Sequence, residues 1–184
     1  MTDFASRAGA KLQFAIEQFK IDATNKVCAD LGASTGGFVD CWLSNGAVKV
    51  YAVEKGYGTL EWKLRQDPRV IVMERTNALE VELPEKVDLI SIDIGWTKQK
   101  FIMPKALSLL KDNGRIITLI KPHYEAEKKH LKKGKVAPEF LAEILEKAKQ
   151  DIESAGGKIL EVIESPIVGG KGGNVEYLAV IEKV

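Results

Sequence analysis

The stretch Asp30-Leu31-Gly32-Ala33-Ser34-Thr35-Gly36-Gly37-Phe38 decides how this chain is read. It follows the apolar run 27–31 and leads into the helical spacing of Phe38, Val39, Trp42 and Leu43, which Asn45-Gly46 stops. Between a strand and a helix, glycines permit a tight turn and close ligand approach, and the first amides of the helix face outward. The segment is therefore a nucleotide-type site. A dinucleotide fingerprint needs glycine where Ser34 stands, and a phosphate-cradling Walker loop needs lysine where Phe38 stands. Both are disfavoured. The same residues spell Gly32-Ala33-Ser34-Thr35-Gly36, the nucleophile-elbow pattern, with Asp93 and His123 following in hydrolase order. That elbow comes after several strands in its own fold, whereas only 31 residues precede Gly32, so acyl hydrolysis is a minor reading.

Outward from the turn, strand and helix periods alternate. A helix with Leu12, Ala15, Ile16 and Phe19 on one face, capped by Ser6, precedes the turn. Strands are expected at 27–31, 48–53, 70–73, 87–92 and 116–120, with helices near 61–66, 101–110 and 138–155. Two further runs, 158–167 and 175–181, are separated by Gly-Gly-Lys-Gly-Gly and read as an adjacent antiparallel pair. The fold expected is α/β, a doubly wound sheet that is mostly parallel and ends antiparallel, with ligands at the carboxyl ends of its strands. Glu54, 22 residues after Gly32, stands where an acid accepts hydrogen bonds from ribose hydroxyls.

The composition agrees with such a domain. The 184 residues carry 27 basic and 26 acidic side chains at 45% hydrophobic, which suits one domain spanning 1–184 and disfavours disorder. No stretch approaches the roughly 18 apolar residues of a membrane span, and the start lacks a secretory signal. Cys28 and Cys41 read as core thiols; no metal is expected, and a reducing cytoplasm is the simplest home. The near-zero sum hides asymmetry. Residues 121–135 hold six lysines and two glutamates, a local +4, whereas 74–88 hold five acids against Arg75 and Lys86. The lysine run is where nucleic acid would enter, although solvated loops of this kind are as often inert.

Several short motifs occur together: Ser6-Arg-Ala-Gly-Ala-Lys11-Leu, the turn 30–38, Gly56-Tyr-Gly58, Asp67-Pro-Arg-Val70, Glu74-Arg-Thr-Asn77, Lys121-Pro and Gly173-Asn-Val-Glu176. In this order they resemble the FtsJ-like RNA methyltransferases, most closely the hemolysin-A (TlyA) type. The resemblance implies a class I methyltransferase (Rossmann-like) fold, S-adenosylmethionine as cofactor, and 2′-O-methylation of an RNA ribose, with ribosomal RNA or a ribosomal subunit as partner. It carries a Lys-Asp-Lys-Glu tetrad onto Lys11, Asp93, Lys121 and Glu176. Asn77 matches the position beside the adenine, and Gly32, Ser34, Gly36 and Gly37 would shape the loop around the methionine part. Asp30 would hold either the loop or the donor's ammonium. Members of this type carry a small RNA-binding domain before the Ser-Arg-x-Gly motif, at which this chain nearly begins, so a separate targeting protein is one candidate partner. They also have Asp-Val-Ser-Phe where this chain has Asp93-Ile-Gly-Trp96. Trp96 would stack on a base or fill the edge of the core.

Methyl transfer to a ribose hydroxyl needs the proton removed, because the neutral hydroxyl is a poor nucleophile. Lys121 is the candidate base. A lysine starts near pKa ~10.4, burial and a second ammonium such as Lys11 lower it, and Asp93 and Glu176 pull the other way. Asp93 and Glu176 would orient the amines, and Lys11 would offset charge developing on oxygen. Two other readings share the donor site: a small-molecule O-methyltransferase, and a non-catalytic RNA- or partner-binding protein.

Overall fold

The computed structural model describes residues 4–170 and 173–184. In chain order its elements are α1 (Ala8–Gln18), β1 (Val27–Leu31), α2 (Gly37–Ser44), β2 (Lys49–Val53), α3 (Trp62–Arg65), β3 (Val70–Met73), β4 (Val87–Ile92), α4 (Gln99–Leu109), β5 (Leu110–Ile120) and α5 (Pro122–Glu125). A single 3-10 turn, Lys128–His130, leads to the hairpin β6 (Leu131–Lys132) and β7 (Lys135–Val136), followed by α6 (Pro138–Ser154), β8 (Gly157–Glu164) and β9 (Tyr177–Lys183). The main sheet runs β3-β2-β1-β4-β5-β9-β8, parallel through β5, with β9 antiparallel to both neighbours.

The expected doubly wound α/β architecture follows from which faces are covered. β1 and β2 are buried at every position but the first, as strands sandwiched between helices must be. On one face α1, α2 and α3 bring Leu12, Ile16, Phe38, Trp42 and Leu64 onto the sheet. On the other, α4 and α6 bring Ile102, Met103, Ala148 and Ile152. The strand order reverses between β1 and β4, which opens a crevice beyond their carboxyl ends. No helix of the described residues is long and apolar enough to cross a membrane.

Three local expectations are corrected. Helix α1 begins at Ala8 after Arg7 with no side-chain cap; the Ser6 carbonyl instead takes the Gly9 N–H at 3.0 Å. β5 begins at Leu110 rather than 116, because buried Leu110 pairs with Val87 and the polar 111–114 stretch is absorbed as a register shift before Arg115 meets Leu89. β8 stops at Glu164 and β9 starts at Tyr177, so Glu176 lies just before the last strand rather than within it. The Ser165 N–H donates to the Glu176 carbonyl at 2.9 Å at this edge, and Lys171 and Gly172 of the glycine-rich connection lie outside the described residues.

Candidate active site

The turn after β1 is pinned across the crevice. The amides of Gly32 and Ala33 both donate to the Val53 carbonyl, at 2.9 and 3.0 Å, which ties it to the end of β2. Gly32 adopts φ +100°, and a Cβ there would stand 2.8 Å from the Asp93 carbonyl oxygen, so only glycine lets the ends of β1 and β4 meet this closely. The Ser34 N–H donates to Glu54 Oε2 at 2.9 Å and the Gly56 N–H to Oε1 at 2.6 Å. A carboxylate accepts about four hydrogen bonds, so this fixes Glu54 and leaves lone pairs for a ligand. Gly32, Ser34, Glu54, Asn77, Ile94 and Thr97 line a cavity of about 650 Å³, a size that suits a cofactor. Asn77 Oδ1 accepts the Leu79 N–H at 3.2 Å, which leaves its amide nitrogen to donate.

Asp30 lies deeper, at 1% exposure, beside a cavity of about 230 Å³ that also touches Gly37 and Asp93. Its Oδ1 accepts from the Ser91 hydroxyl at 2.7 Å, and Ser91 Oγ accepts from the Trp42 indole N–H at 2.9 Å. Oδ2 has no partner among the described residues. Burial pushes this carboxyl up to about 8; Ser91 opposes the shift, and the nearby Asp93 and Glu54 charges add to it.

The second half of the site is charged and paired. Lys11 Nζ, buried on the second turn of α1, donates to Glu176 Oε2 at 2.5 Å. The close seat of Gly37 against α1, where an added Cβ would lie 2.9 Å from the Gly9 nitrogen, brings Lys11 this far inward. Lys121 pairs with Asp93 and also donates to the Ile94 carbonyl at 3.3 Å. All four tetrad residues line one cavity of about 560 Å³, and Asp93 lines this cavity and both of the cavities beside the glycine turn. The hairpin β6–β7 reaches the same cavity through Gly134, so part of the lysine run stands at its mouth.

Of the residues that the sequence nominated, Lys11, Asp30, Gly32, Ser34, Gly37, Glu54, Asn77, Asp93, Lys121 and Glu176 line these cavities, whereas Gly36 lines none of them and faces Leu60 and Leu64. The hydrolase arrangement does not assemble: Asp93 pairs with Lys121, His123 Nδ1 is buried without a partner among the described residues, and Ser34 faces the cavity that Glu54 lines. Burial holds His123 below the usual histidine value, with Glu176 opposing and Lys121 reinforcing the shift. Trp96 does not fill the core edge. It is 88% exposed at φ +61°, with its ring 4.8 Å from that of Tyr124, and it lines both the donor and the acceptor cavity. Sequence reasoning missed Ser91 and Tyr124. Ser91 had a signal, a lone hydroxyl among apolar neighbours in β4; Tyr124 had none.

A reversal of strand order that carries a glycine turn, an acid at the end of the next strand and a charged acceptor pocket defines a class I methyltransferase fold. Solved S-adenosylmethionine-dependent methyltransferases at 13% and 18% identity share it, with TM-scores of 0.70 and 0.71, which bears on the fold alone. The chain belongs to the FtsJ-like methyltransferase family, whose model matches residues 4–183. It is 40% identical over 182 residues to YqxC of Bacillus subtilis (strain 168), covering 95% of this chain and 64% of that protein. It is 37% identical over 180 residues to the 16S/23S rRNA (cytidine-2′-O)-methyltransferase TlyA of Mycobacterium tuberculosis (strain ATCC 25618 / H37Rv), covering 95% of this chain and 66% of that one. The chain therefore spans just under two thirds of the length of these relatives. A solved candidate hemolysin of Streptococcus thermophilus, 36% identical, superposes with a TM-score of 0.95 over 100% of this chain and 68% of its own.

Proposed function

We propose that this protein transfers a methyl group from S-adenosylmethionine to a ribose 2′-hydroxyl of ribosomal RNA. The observation that carries the reading is the position of Asp93. It walls the donor-side cavities and the tetrad cavity alike while pairing with Lys121, so a donor and a hydroxyl bound on its two sides share one seam.

The residues present fit the donor. The unpartnered Oδ2 of buried Asp30 suits a cationic ammonium, Glu54 suits vicinal hydroxyls and Asn77 an adenine edge, with Gly32, Ser34, Gly36 and Gly37 shaping the loop. When bound, S-adenosylmethionine supplies a methyl carbon activated by a sulfonium. In its neutral form Lys121 accepts the hydroxyl proton at Nζ, and Asp93 and the Ile94 carbonyl hold the ammonium that results. Lys11, anchored by Glu176, offsets negative charge developing on the oxygen. A ribosomal RNA substrate agrees with the expected cytoplasmic location.

The test incubates the protein with labelled donor and free ribosomal RNA, small subunits or large subunits, then maps ribose methylation by resistance to alkaline cleavage. One or a few discrete 2′-O-methylated nucleotides are expected. A protein that binds donor yet methylates none of the three RNAs, and methylates a small hydroxylated compound instead, would overturn the assignment.

A further inference from the structure

The tetrad occupies one end of the sheet, and the opposite end holds a cavity of about 840 Å³ to which the methyl-transfer reading gives no role. It lies at the amino ends of the parallel strands. Lys26 precedes β1, Lys86 precedes β4, Lys111 and Arg115 come from the early half of β5, Lys183 ends β9, and Lys20 follows α1. Against these six cations the lining sets Asp22, Asp88 and Asp112, and its floor is apolar, with Ile21, Leu89 and Leu110 buried.

Most of the acids are already engaged within the chain. Asp88 accepts the Val27 N–H at 2.9 Å and the Lys111 ammonium at 2.9 Å, and Asp22 accepts the Thr24 N–H at 2.9 Å. Asp112 pairs with Lys183 at 3.3 Å, and Lys86 donates to the Ser108 carbonyl. Among the described residues Lys20, Lys26 and Arg115 have no ion-pair partner within 4.0 Å. Unspent cations drawn from separate chain segments around a wide concavity suit a ligand with repeated charges rather than one compact anion, which would need its donors to converge.

We infer that this opposite end is a second RNA-contact site that grips the phosphodiester backbone through Lys20, Lys26 and Arg115. The inference rests on the RNA-methyltransferase reading and adds a contact remote from the chemistry. Phosphate contacts of this kind position a substrate without reading its bases.

The test measures binding of the whole protein to a fluorescent single-stranded RNA over a salt series. Single-strand binding loses about 0.7 of log-log slope for each phosphate contact removed. A Lys20→Gln/Lys26→Gln/Arg115→Gln variant should therefore lose about two units of slope and about ten-fold in affinity, with donor binding unchanged. Lys20→Gln/Lys26→Gln, which leaves the strand residue in place, should lose about two thirds of that slope and answers for any misfolding of the triple variant. Lys121→Ala should lose methyl transfer while the further drop in salt slope on adding the Lys20, Lys26 and Arg115 changes stays the same, so a failure of the catalytic reading is distinguishable from a failure here. Unchanged RNA affinity and slope in both charge variants would overturn the inference. So would protection of the cavity by inorganic pyrophosphate with no effect of the variants on RNA, which would mark a small-anion site instead.

Discussion

The donor side and the acceptor side of the rim share Asp93 yet carry opposite balances. The donor cavities are lined by Asp30, Glu54 and Asp93 against Lys55, and the acceptor cavity by Arg7, Lys11 and Lys121 against Asp93 and Glu176. An acidic pocket suits a cationic donor and a basic one suits a polyanionic acceptor, a balance that agrees with the proposed placement of the two substrates. The two sides also differ in how their charges are satisfied. On the acceptor side each tetrad cation meets an acid, whereas on the donor side Asp30 keeps one oxygen bare. A paired pocket is set for chemistry before anything binds; an unpaired one is completed by its ligand.

The sharpest test of this contrast is Lys121→Ala. Removing a positioned base costs about 10²–10⁴ in rate. Single-turnover methyl transfer is expected to fall by about a thousand-fold, with donor affinity within about two-fold of the parent. A normal rate would show that the acceptor pair only positions. The buried pair Lys11–Glu176 gives the next largest effect. Glu176→Ala leaves a buried ammonium uncompensated and should cost about 3–5 kcal/mol in urea unfolding. Lys11→Met combined with Glu176→Leu should recover most of that stability and none of the lost turnover. If the single variant is as stable as the parent, the pair is hydrated in solution and the claim of a preset acceptor pocket fails.

How much of this was legible beforehand divides along the same line. The turn 30–38, Glu54 and the strand–helix alternation are local patterns, so a nucleotide-type turn, its acid and the sheet could be placed from spacing alone, whereas the roles of Asp30 and Asn77 came through the family resemblance. The tetrad could be nominated only through its resemblance to a family, because Lys11 and Glu176 lie 165 residues apart and nothing local pairs them. Ser6 as a cap was misplaced for a tertiary reason, the tight approach of α1 to Gly37. Glu176 was misplaced by one residue: β9 starts at Tyr177, and the Glu176 carbonyl still takes the Ser165 N–H in the register of β8 and β9. Trp96 shows the reverse: an aromatic residue that composition would assign to a core stands 88% exposed.

The smallest effect comes from the bare oxygen of Asp30, and its sign follows from the direction of the shift. Burial raises this carboxyl to about 8 in the folded protein without donor, far above the ordinary aspartate value of 3.8. The folded state therefore holds a proton that the unfolded chain releases, and Asp30 withdraws stability as pH rises from about 4 to about 8. A cationic ligand beside Oδ2 favours the ionised form, so binding expels that proton and donor affinity should rise with pH. The slope is at most ten-fold per unit, and it should be read between about pH 5.5 and 7.5, below the range near 8 where an α-amino group itself titrates. Asp30→Asn should flatten this dependence and raise the thermal stability of the donor-free protein by more at pH 8 than at pH 5. Calorimetry of donor binding in two buffers of different ionisation enthalpy counts the released proton directly. If no proton is released and affinity is flat with pH in the parent protein, Asp30 is already ionised without donor, and the contrast between a paired and an unpaired side disappears.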